Sequence, residues 1–474
     1  MNLAVLLPHA VLAGFALLVL LALAIRRSHQ VALALAAIGL AGAFLSLWVI
    51  GDEIPQVVDR LLVVDLFSLL VSGLVILAGL AVAFLMYHYL AIRSENREEF
   101  YAMLLIAVLG AVVLAGANHF VTLFLGIELL SVALYVMIAY LHGHARSIEA
   151  GIKYVVLAGA SSAFLLFGLA LIYTDSGTMD ISVLATRLEM SSLPGLYILV
   201  GLALVVAGVG FKLAVVPFHM WTADVYEGAP APVTGLVATV SKSAVVAVLV
   251  RFFVSIDGYR YDTVVLALVV LAVLSMLIGN LLALLQRNVK RILAYSSIAH
   301  LGYVLVGFLA GGSRGIEAVL VYLVVYTITT LGAFGVIGLL SGPHSERTDL
   351  AEYRGLFWDR PWVAVSFTAM LLSLAGIPLT AGFIGKFFVL TAGVGAAQWI
   401  LVIALVAGSA LGIFYYTRII ATMFARDEGV TVGVSEIPIT GGLALTILTL
   451  ALFAIGLYPT PLLNIVRAMV LYLP

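Results

Sequence analysis

The chain has 474 residues, 64% of them hydrophobic and 10% charged, with a net charge of −1 and no cysteine. A soluble globular domain is nearer half apolar and a quarter charged, so this composition points to a membrane protein without a basic face for nucleic acid. Having no cysteine, the chain itself is excluded from disulfides, cysteine-ligated iron–sulfur clusters and thiol chemistry, while the redox compartment stays undetermined.

Hydropathy and loop signals predict an all-α, polytopic membrane fold of about fourteen transmembrane helices. The first five are expected at 3–25, 30–50, 62–92, 100–116 and 119–141, the next five at 150–174, 195–221, 231–256, 262–286 and 290–310. The last four fall at 316–341, 361–391, 397–424 and 437–459, before a short apolar tail. The opening stretch MNLAVLLPHAVLAGFALLVLLALAI has no positive start and is followed by Arg26 and Arg27. A cleaved signal peptide has the reverse order, so an uncleaved first helix is expected.

Cations in alternate loops divide fourteen against six. The richer set includes Arg26, Arg27, Arg93, Arg146, Lys153, Arg287, Lys290, Arg291 and Arg418; the poorer set includes Arg60, Arg187, Arg251 and Arg467. The positive-inside rule makes the richer set cytoplasmic and puts both termini outside, as an even helix count requires. A bacterial inner membrane fits this reading. The basic loop at Arg287, Lys290 and Arg291 is a candidate for an anionic lipid head group. Trp221, Trp358, Trp362 and Trp399 fall at helix ends, as an interfacial aromatic belt would place them.

No nucleotide site is legible. GFIGKFF (382–388) lacks the upstream glycine of a phosphate loop and has Phe387 where Ser or Thr is needed. Two segments read as broken helices: 195–221 with Pro217, and 361–391 with Pro378. Proline removes a backbone donor and clashes with the preceding turn, and within a bilayer the freed groups must find protein or water. Two such breaks, five helices apart, suggest inverted repeats of helices 4–8 and 9–13 around a midplane ion site. The implied segments are 1–98, 99–256, 257–424 and 425–474.

Glu128, Lys212, Lys242 and Lys386 are ionisable residues set deep within these helices. Each costs at least ~2.5–3.5 kcal/mol at that depth. A structural ion pair with snorkelling lysines is the bland alternative, but one glutamate cannot neutralise three lysines. The surplus suggests lysines that are neutral part of the time, because low dielectric disfavours the charged form. At ~7 Å and an effective dielectric near 20, one pair is worth about 2.4 kcal/mol. One charge crossing 100 mV costs about 2.3 kcal/mol, so several sites in series are needed. His300 is read as either a packing histidine or a proton relay, His219 as a candidate relay beside the Pro217 break, and Lys153 as an interfacial lysine or secondary path.

The motifs also carry a resemblance. GVGFKLAVVPFHMWTADVYEGAPAPVTGLVATVSK (208–242), QRNVKRILAYSSIAHLGY (286–303) and AGIPLTAGFIGKF (375–387) closely resemble signatures of the proton-translocating, Mrp antiporter-like subunits of respiratory complex I. Lysine at 386 differs from the glutamate typical of subunit M, and the expected end after helix 14 leaves out the lateral helix of subunit L. The corresponding subunit of Mrp-type Na⁺/H⁺ antiporters and that of membrane-bound hydrogenases are the alternatives. The resemblance implies Glu128 and Lys212 as a coupling pair, Lys242 as the link to a central axis, and Lys386 as the outward terminus. It also implies an obligate hetero-oligomer with subunit M on one side and small subunit K on the other. No metal or cofactor is expected in this chain; FMN, iron–sulfur clusters and quinone would belong to partner subunits.

Overall fold

The computed structural model describes residues 3–93, 97–190, 195–343, 345–426 and 438–470. Two helices, α1 (Leu7–Ile25) and α2 (His29–Val49), precede a hairpin of β1 (Gln56–Val58) and β2 (Leu62–Val64). Then come α3 (Leu66–Ala91), α4 (Glu99–Ala115), α5 (Phe120–Ile138), α6 (Ala145–Ser176) and the short α7 (Ile181–Met190). The middle of the chain holds α8 (Leu196–Leu213), α9 (Thr222–Gly228), α10 (Ala231–Leu236), α11 (Lys242–Ser255), α12 (Asp262–Leu284), α13 (Val289–Ala310) and α14 (Gly312–Leu340). The last part holds α15 (Leu356–Asp359), α16 (Pro361–Ala375), α17 (Ala381–Gly395), α18 (Trp399–Phe424), α19 (Ile439–Leu457) and α20 (Thr460–Val470). Among the described residues, twelve helices are long and apolar enough to cross a membrane, counting Ala231–Ser255 as one. The expectation of about fourteen adds α4 and the α16–α17 pair. Position 437 of the last expected helix, 191–194 of the polar stretch before α8, and the tail at 471–474 lie outside the described residues.

Several boundaries differ from expectation. The third helix starts four residues later, because Asp65 caps it: Asp65 Oδ1 accepts from Ser68 N at 2.8 Å while Ser68 Oγ accepts from Asp65 N at 2.9 Å. The residues before it pair as an antiparallel hairpin, Gln56 opposite Val64. The stretch expected only as an apolar tail forms α20, an amphipathic helix that buries Val466 and Val470.

The molecule's centre is 231–255, α13 and α14, the most deeply buried of the spans, while α1 and α19 are mostly exposed on their flanks. A lipid-facing helix can be apolar all round, but the central helices carry serine, threonine, tyrosine, lysine and histidine among their apolar residues. Packing protein on every side lets those polar groups satisfy one another, as a hydrocarbon interior requires.

Both expected breaks exist, and both are built the same way. Helix α8 ends at Ala214, which has φ 61°, and Val215 N donates back to Gly210 O at 3.0 Å. Helix α16 ends at Gly376, with φ 85°, and Ile377 N donates back to Leu372 O at 3.0 Å. This left-handed cap with a bond reaching five residues back is a Schellman ending. The prolines are therefore downstream of each break and do not initiate it. Pro217 is exposed, and the loop it sits in is held by Trp221 Nε1 on Phe211 O at 3.1 Å and Val216 N on Ser275 Oγ at 2.9 Å.

Candidate functional site

Glu128 and Lys212 come from facing helices but make no ion pair with each other among the described residues. Lys212 is next to last in α8 and donates to Ser131 Oγ at 2.7 Å. Ser131 is one turn beyond Glu128 on α5, so it shares that face. Glu128 instead accepts from Ser162 Oγ of α6 at 2.5 Å. The two charges are thus each held by a serine.

Lys242 comes just after a five-residue π-helical turn, Val237–Ser241, that joins α10 to α11. Such a turn inserts one extra residue and re-aims the next side chain. Lys242, 1% exposed, donates to Ser297 Oγ of α13 at 2.7 Å, and Ser297 is in turn 2.6 Å from Tyr326 OH of α14. Tyr226 OH lies 3.4 Å from the same serine, with its ring beneath the ammonium. Between the Lys212 and Lys242 groups the links are ring contacts, Tyr154 on Trp221 and Trp221 on Tyr226.

One turn past Ser297, His300 is buried and bonded on both ring nitrogens: Nδ1 lies 2.9 Å from Tyr322 OH and Nε2 lies 3.2 Å from Tyr416 OH. A small cavity of about 10 Å³, lined in part by His300, Tyr326, Ser373 and Lys386, connects it to the last lysine; that is room for roughly one water molecule. Lys386, on α17, donates to Ala375 O at 2.9 Å and lies over the Tyr303 ring. Ala375 ends α16, so the cation sits at the negative end of a half-helix.

The other predicted residues lie apart from this row. Lys153 is half exposed in an ion-pair network with Glu149 at 2.8 Å and Asp224 at 2.7 Å, where Arg291 also binds Asp224 and Glu227. It borders a polar cavity of about 130 Å³. His219 is half-buried in the α8–α9 break, with its Nδ1 shielded from solvent and unpartnered among protein groups; it does not join Lys212 through a hydrogen bond among the described residues.

Three expectations need correction. Trp221 is 2% exposed and packs on Phe211 and Tyr154, because the break folds the chain inward there; it belongs to the core and not to an interfacial belt. Arg251, expected among the loop cations, is buried on α11 and paired bidentately with Asp65 at 2.9 and 2.8 Å. The basic loop offered for a lipid head group is largely spent: Lys290 is fully buried against Glu346, and Arg291 is bound to Asp224 and Glu227.

Sequence reasoning missed the serines and tyrosines that connect the charges, namely Ser131, Ser162, Ser297, Tyr322, Tyr326 and Tyr416. Ser131 was findable as a polar residue one turn from Glu128. The tyrosines carried no such signal, since aromatic residues are ordinary in apolar helices.

Comparison with known proteins places this arrangement. The family described as NADH:quinone oxidoreductase/Mrp antiporter, TM matches residues 117–412, well over half of the chain. The chain belongs to that family. It is 47% identical over 478 residues to NADH-quinone oxidoreductase subunit N of Ectopseudomonas mendocina (strain ymp), covering 98% of this chain and 96% of that protein. Among solved structures it is similar to a chain of respiratory complex I from Thermus thermophilus, at 31% identity and a TM-score of 0.82, with 96% of this chain and 98% of that chain covered. A chain of the Mrp complex from Dietzia sp. DQ12-45-1b shares the fold, with a TM-score of 0.86 at 22% identity over 100% of this chain and 98% of that one. The protein is thus a multi-pass membrane protein of the antiporter-like family, and the whole matched region is the one that holds Glu128, Lys212, Lys242, His300 and Lys386.

Proposed function

We propose that this chain is a proton-translocating membrane-arm subunit of an NADH:quinone oxidoreductase, and that Glu128, Lys212, Lys242 and Lys386 carry the protons. The observation that carries the reading is the row Glu128–Ser162, Lys212–Ser131, Lys242–Ser297–Tyr326, Tyr322–His300–Tyr416 and Lys386, buried from Lys212 onward with Glu128 partly buried at its start. Near-full-length similarity to a subunit N supports it. Electrons do not enter this chain. FMN, iron–sulfur clusters and quinone belong to partner subunits of a hetero-oligomer, with the antiporter-like subunit M and the small subunit K as its neighbours.

Mechanistically, a perturbation arriving from the partners draws Glu128 from Ser162 toward Lys212, holding the proton on that lysine. When the pair parts, Lys212 is left with a neutral serine in a low-dielectric site, and its charged form is disfavoured. The released proton then crosses the gap occupied by the Tyr154, Trp221 and Tyr226 rings, which water would have to bridge, to reach Lys242. From there the Ser297, Tyr326 and His300 groups lead to Lys386 at the second break. His219 and Lys153 would serve uptake at the edges. The two Schellman-ended breaks support treating helices 4–8 and 9–13 as inverted repeats, with both termini on the periplasmic side of a bacterial inner membrane.

The test is purification through a tag on this chain, assayed for NADH:quinone reductase activity and proton pumping. Co-purification of flavin and iron–sulfur subunits, with Lys212→Ala lowering the protons moved per electron, is the expected result. Isolation with membrane subunits alone and no redox activity would move the chain to the Mrp-type antiporter or hydrogenase reading. Full stoichiometry in Lys212→Ala would remove the site assignment.

A further inference from the structure

A second charged cluster lies outside this row, on the cation-rich face, where the chain turns from α9 into α10. Lys290 is 0% exposed, and its Nζ has three acceptors: Glu346 Oε2 at 2.5 Å, Ala229 O at 2.5 Å and Glu227 O at 3.0 Å. Two of those are carbonyls of the α9–α10 corner. Glu346 is equally committed. Its Oε1 accepts from Tyr89 OH at 2.6 Å and from Ala231 N, the first N–H of α10, at 2.8 Å, with Arg93 Nη1 at 3.7 Å. Arg93 also donates to Ser345 O at 2.8 Å and to Gly342 O, which fastens the loop bearing Glu346 to the end of α3. Every strong donor and acceptor of the Lys290–Glu346 pair is satisfied, as a buried pair requires.

The location gives the cluster its consequence. Lys290 and Ser297 both lie on α13, seven residues apart, which puts them on one face about 10 Å apart along the axis. Ala231 begins the path through α10 and the π-turn to Lys242. The cluster therefore fixes the near ends of two elements whose far ends meet at the 2.7 Å contact between Lys242 Nζ and Ser297 Oγ. At the other end of the same path, Arg251 is fixed by Asp65. With both ends fixed, the position of Lys242 along α13 is set by where the α10 start is held.

We infer that Glu346, acting with Lys290, is a positioning residue for the Lys242–Ser297 contact: it fixes the start of α10 against α13 and so sets the register of Lys242 in the proton path. The inference rests on the proton-transfer role proposed above for Lys242. Glu346 touches none of the proton-carrying groups. Its carboxylate acts through the N–H of Ala231 and through the Lys290 ammonium that holds Ala229 O and Glu227 O. A purely structural cluster would hold the chain folded without any bearing on how many protons move per electron.

The experiment uses the intact complex. Glu346→Gln keeps shape and an acceptor for Ala231 N but removes the charge facing Lys290. The expected outcome is an assembled complex that oxidises NADH with a proton-to-electron ratio reduced by at least a quarter and an altered pH profile of pumping. Glu346→Asp should restore part of both. A second variant, Glu346→Gln with Lys290→Met, removes both charges of the pair, leaves Arg93 on the Gly342 and Ser345 carbonyls, and keeps the test open if the first fails to assemble; it should show the same reduced ratio. Wild-type ratio and pH profile in an assembled variant overturn the inference. Failure of both variants to assemble also overturns it, since the cluster would then be a folding lock. Lys242→Ala is the control: normal pumping there defeats the proton-path reading itself, whereas impaired pumping in Lys242→Ala beside normal pumping in Glu346→Gln defeats only the positioning role.

Discussion

Lys386 is a buried ammonium with no carboxylate beside it among the described residues, and the backbone explains how it is tolerated. Its proton-bearing nitrogen faces Ala375 O at 2.9 Å, with the Tyr303 ring at 5.2 Å. Gly376 makes room: a Cβ there would fall 2.7 Å from Lys386 Cδ, and its φ of 85° already disfavours any side chain. Gly376→Ala should therefore cost about 1–2 kcal/mol in backbone strain alone and displace Lys386. A lower melting temperature with a reduced proton-to-electron ratio is expected, and unchanged values in both would contradict this account of the site. Ser131 has a comparable role for Lys212. Ser131→Ala deletes a hydrogen bond to a buried ammonium, a loss of roughly 1–3 kcal/mol. Pumping by the assembled complex should fall several-fold at constant protein level; if it does not, Ser131 is a packing residue only.

Among the elements, the α10–π–α11 segment is the most constrained. Ala231 N is held by Glu346 and Arg251 by Asp65, with the π-turn at Val237–Ser241 between them. Removing one residue of a π-turn restores α-helical pairing and rotates the downstream helix by about 100° per residue. Deletion of Val240 should then either turn Lys242 away from Ser297 or pull Arg251 off Asp65. Both outcomes predict loss of proton pumping, read in vesicles with a pH-sensitive dye. Retained pumping would mean that the turn is incidental. The breaks are elements of the same kind. Their shared Schellman ending leaves the carbonyl end of α16 facing the protein interior, where Lys386 meets it at Ala375 O, while Lys212 at the end of α8 is held by Ser131 instead.

For the molecule as a whole, the ion pairs sit where helices must be held against one another. Arg251→Ala would strand the Asp65 carboxylate in the interior, at a cost of about 3–5 kcal/mol. The pair replacement Asp65→Asn with Arg251→Met should recover most of that, and thermal melts in detergent distinguish the two. Acid should act on the cation-rich face. Burial pushes the Glu346 carboxyl up, but the Lys290 charge and the hydrogen bonds outweigh it and hold the group below its ordinary value of 4.5. A carboxyl held low contributes stability above that ordinary value and loses it as pH falls through the lowered one. The complex should therefore be insensitive to this group from neutral pH down to about 5 and lose stability in stronger acid. Glu346→Gln should flatten that acid limb; an unchanged limb would place the acid sensitivity elsewhere.

The sequence alone determined the class of fold and its charges. Long apolar runs have few options in a bilayer, so hydropathy gave the spans, and Glu128, Lys212, Lys242 and Lys386 stood out because a charge there is costly wherever it points. The two breaks were legible too, since Pro217 and Pro378 each remove a backbone donor and disfavour a continuous helix, although the structure ends each helix just upstream, at Ala214 and Gly376. Only the tertiary structure decided which groups meet. That Ser162 holds Glu128 and Ser131 holds Lys212, that Ser297 receives Lys242, and that Tyr322 and Tyr416 bracket His300 is a result of helix rotation and depth. An apolar helix with little amphipathic pattern does not encode its rotation locally. The same limit hid Asp65–Arg251 and Lys290–Glu346: each pair joins residues far apart in the chain, and burial of a charge at a helix end becomes visible only when its partner is packed against it.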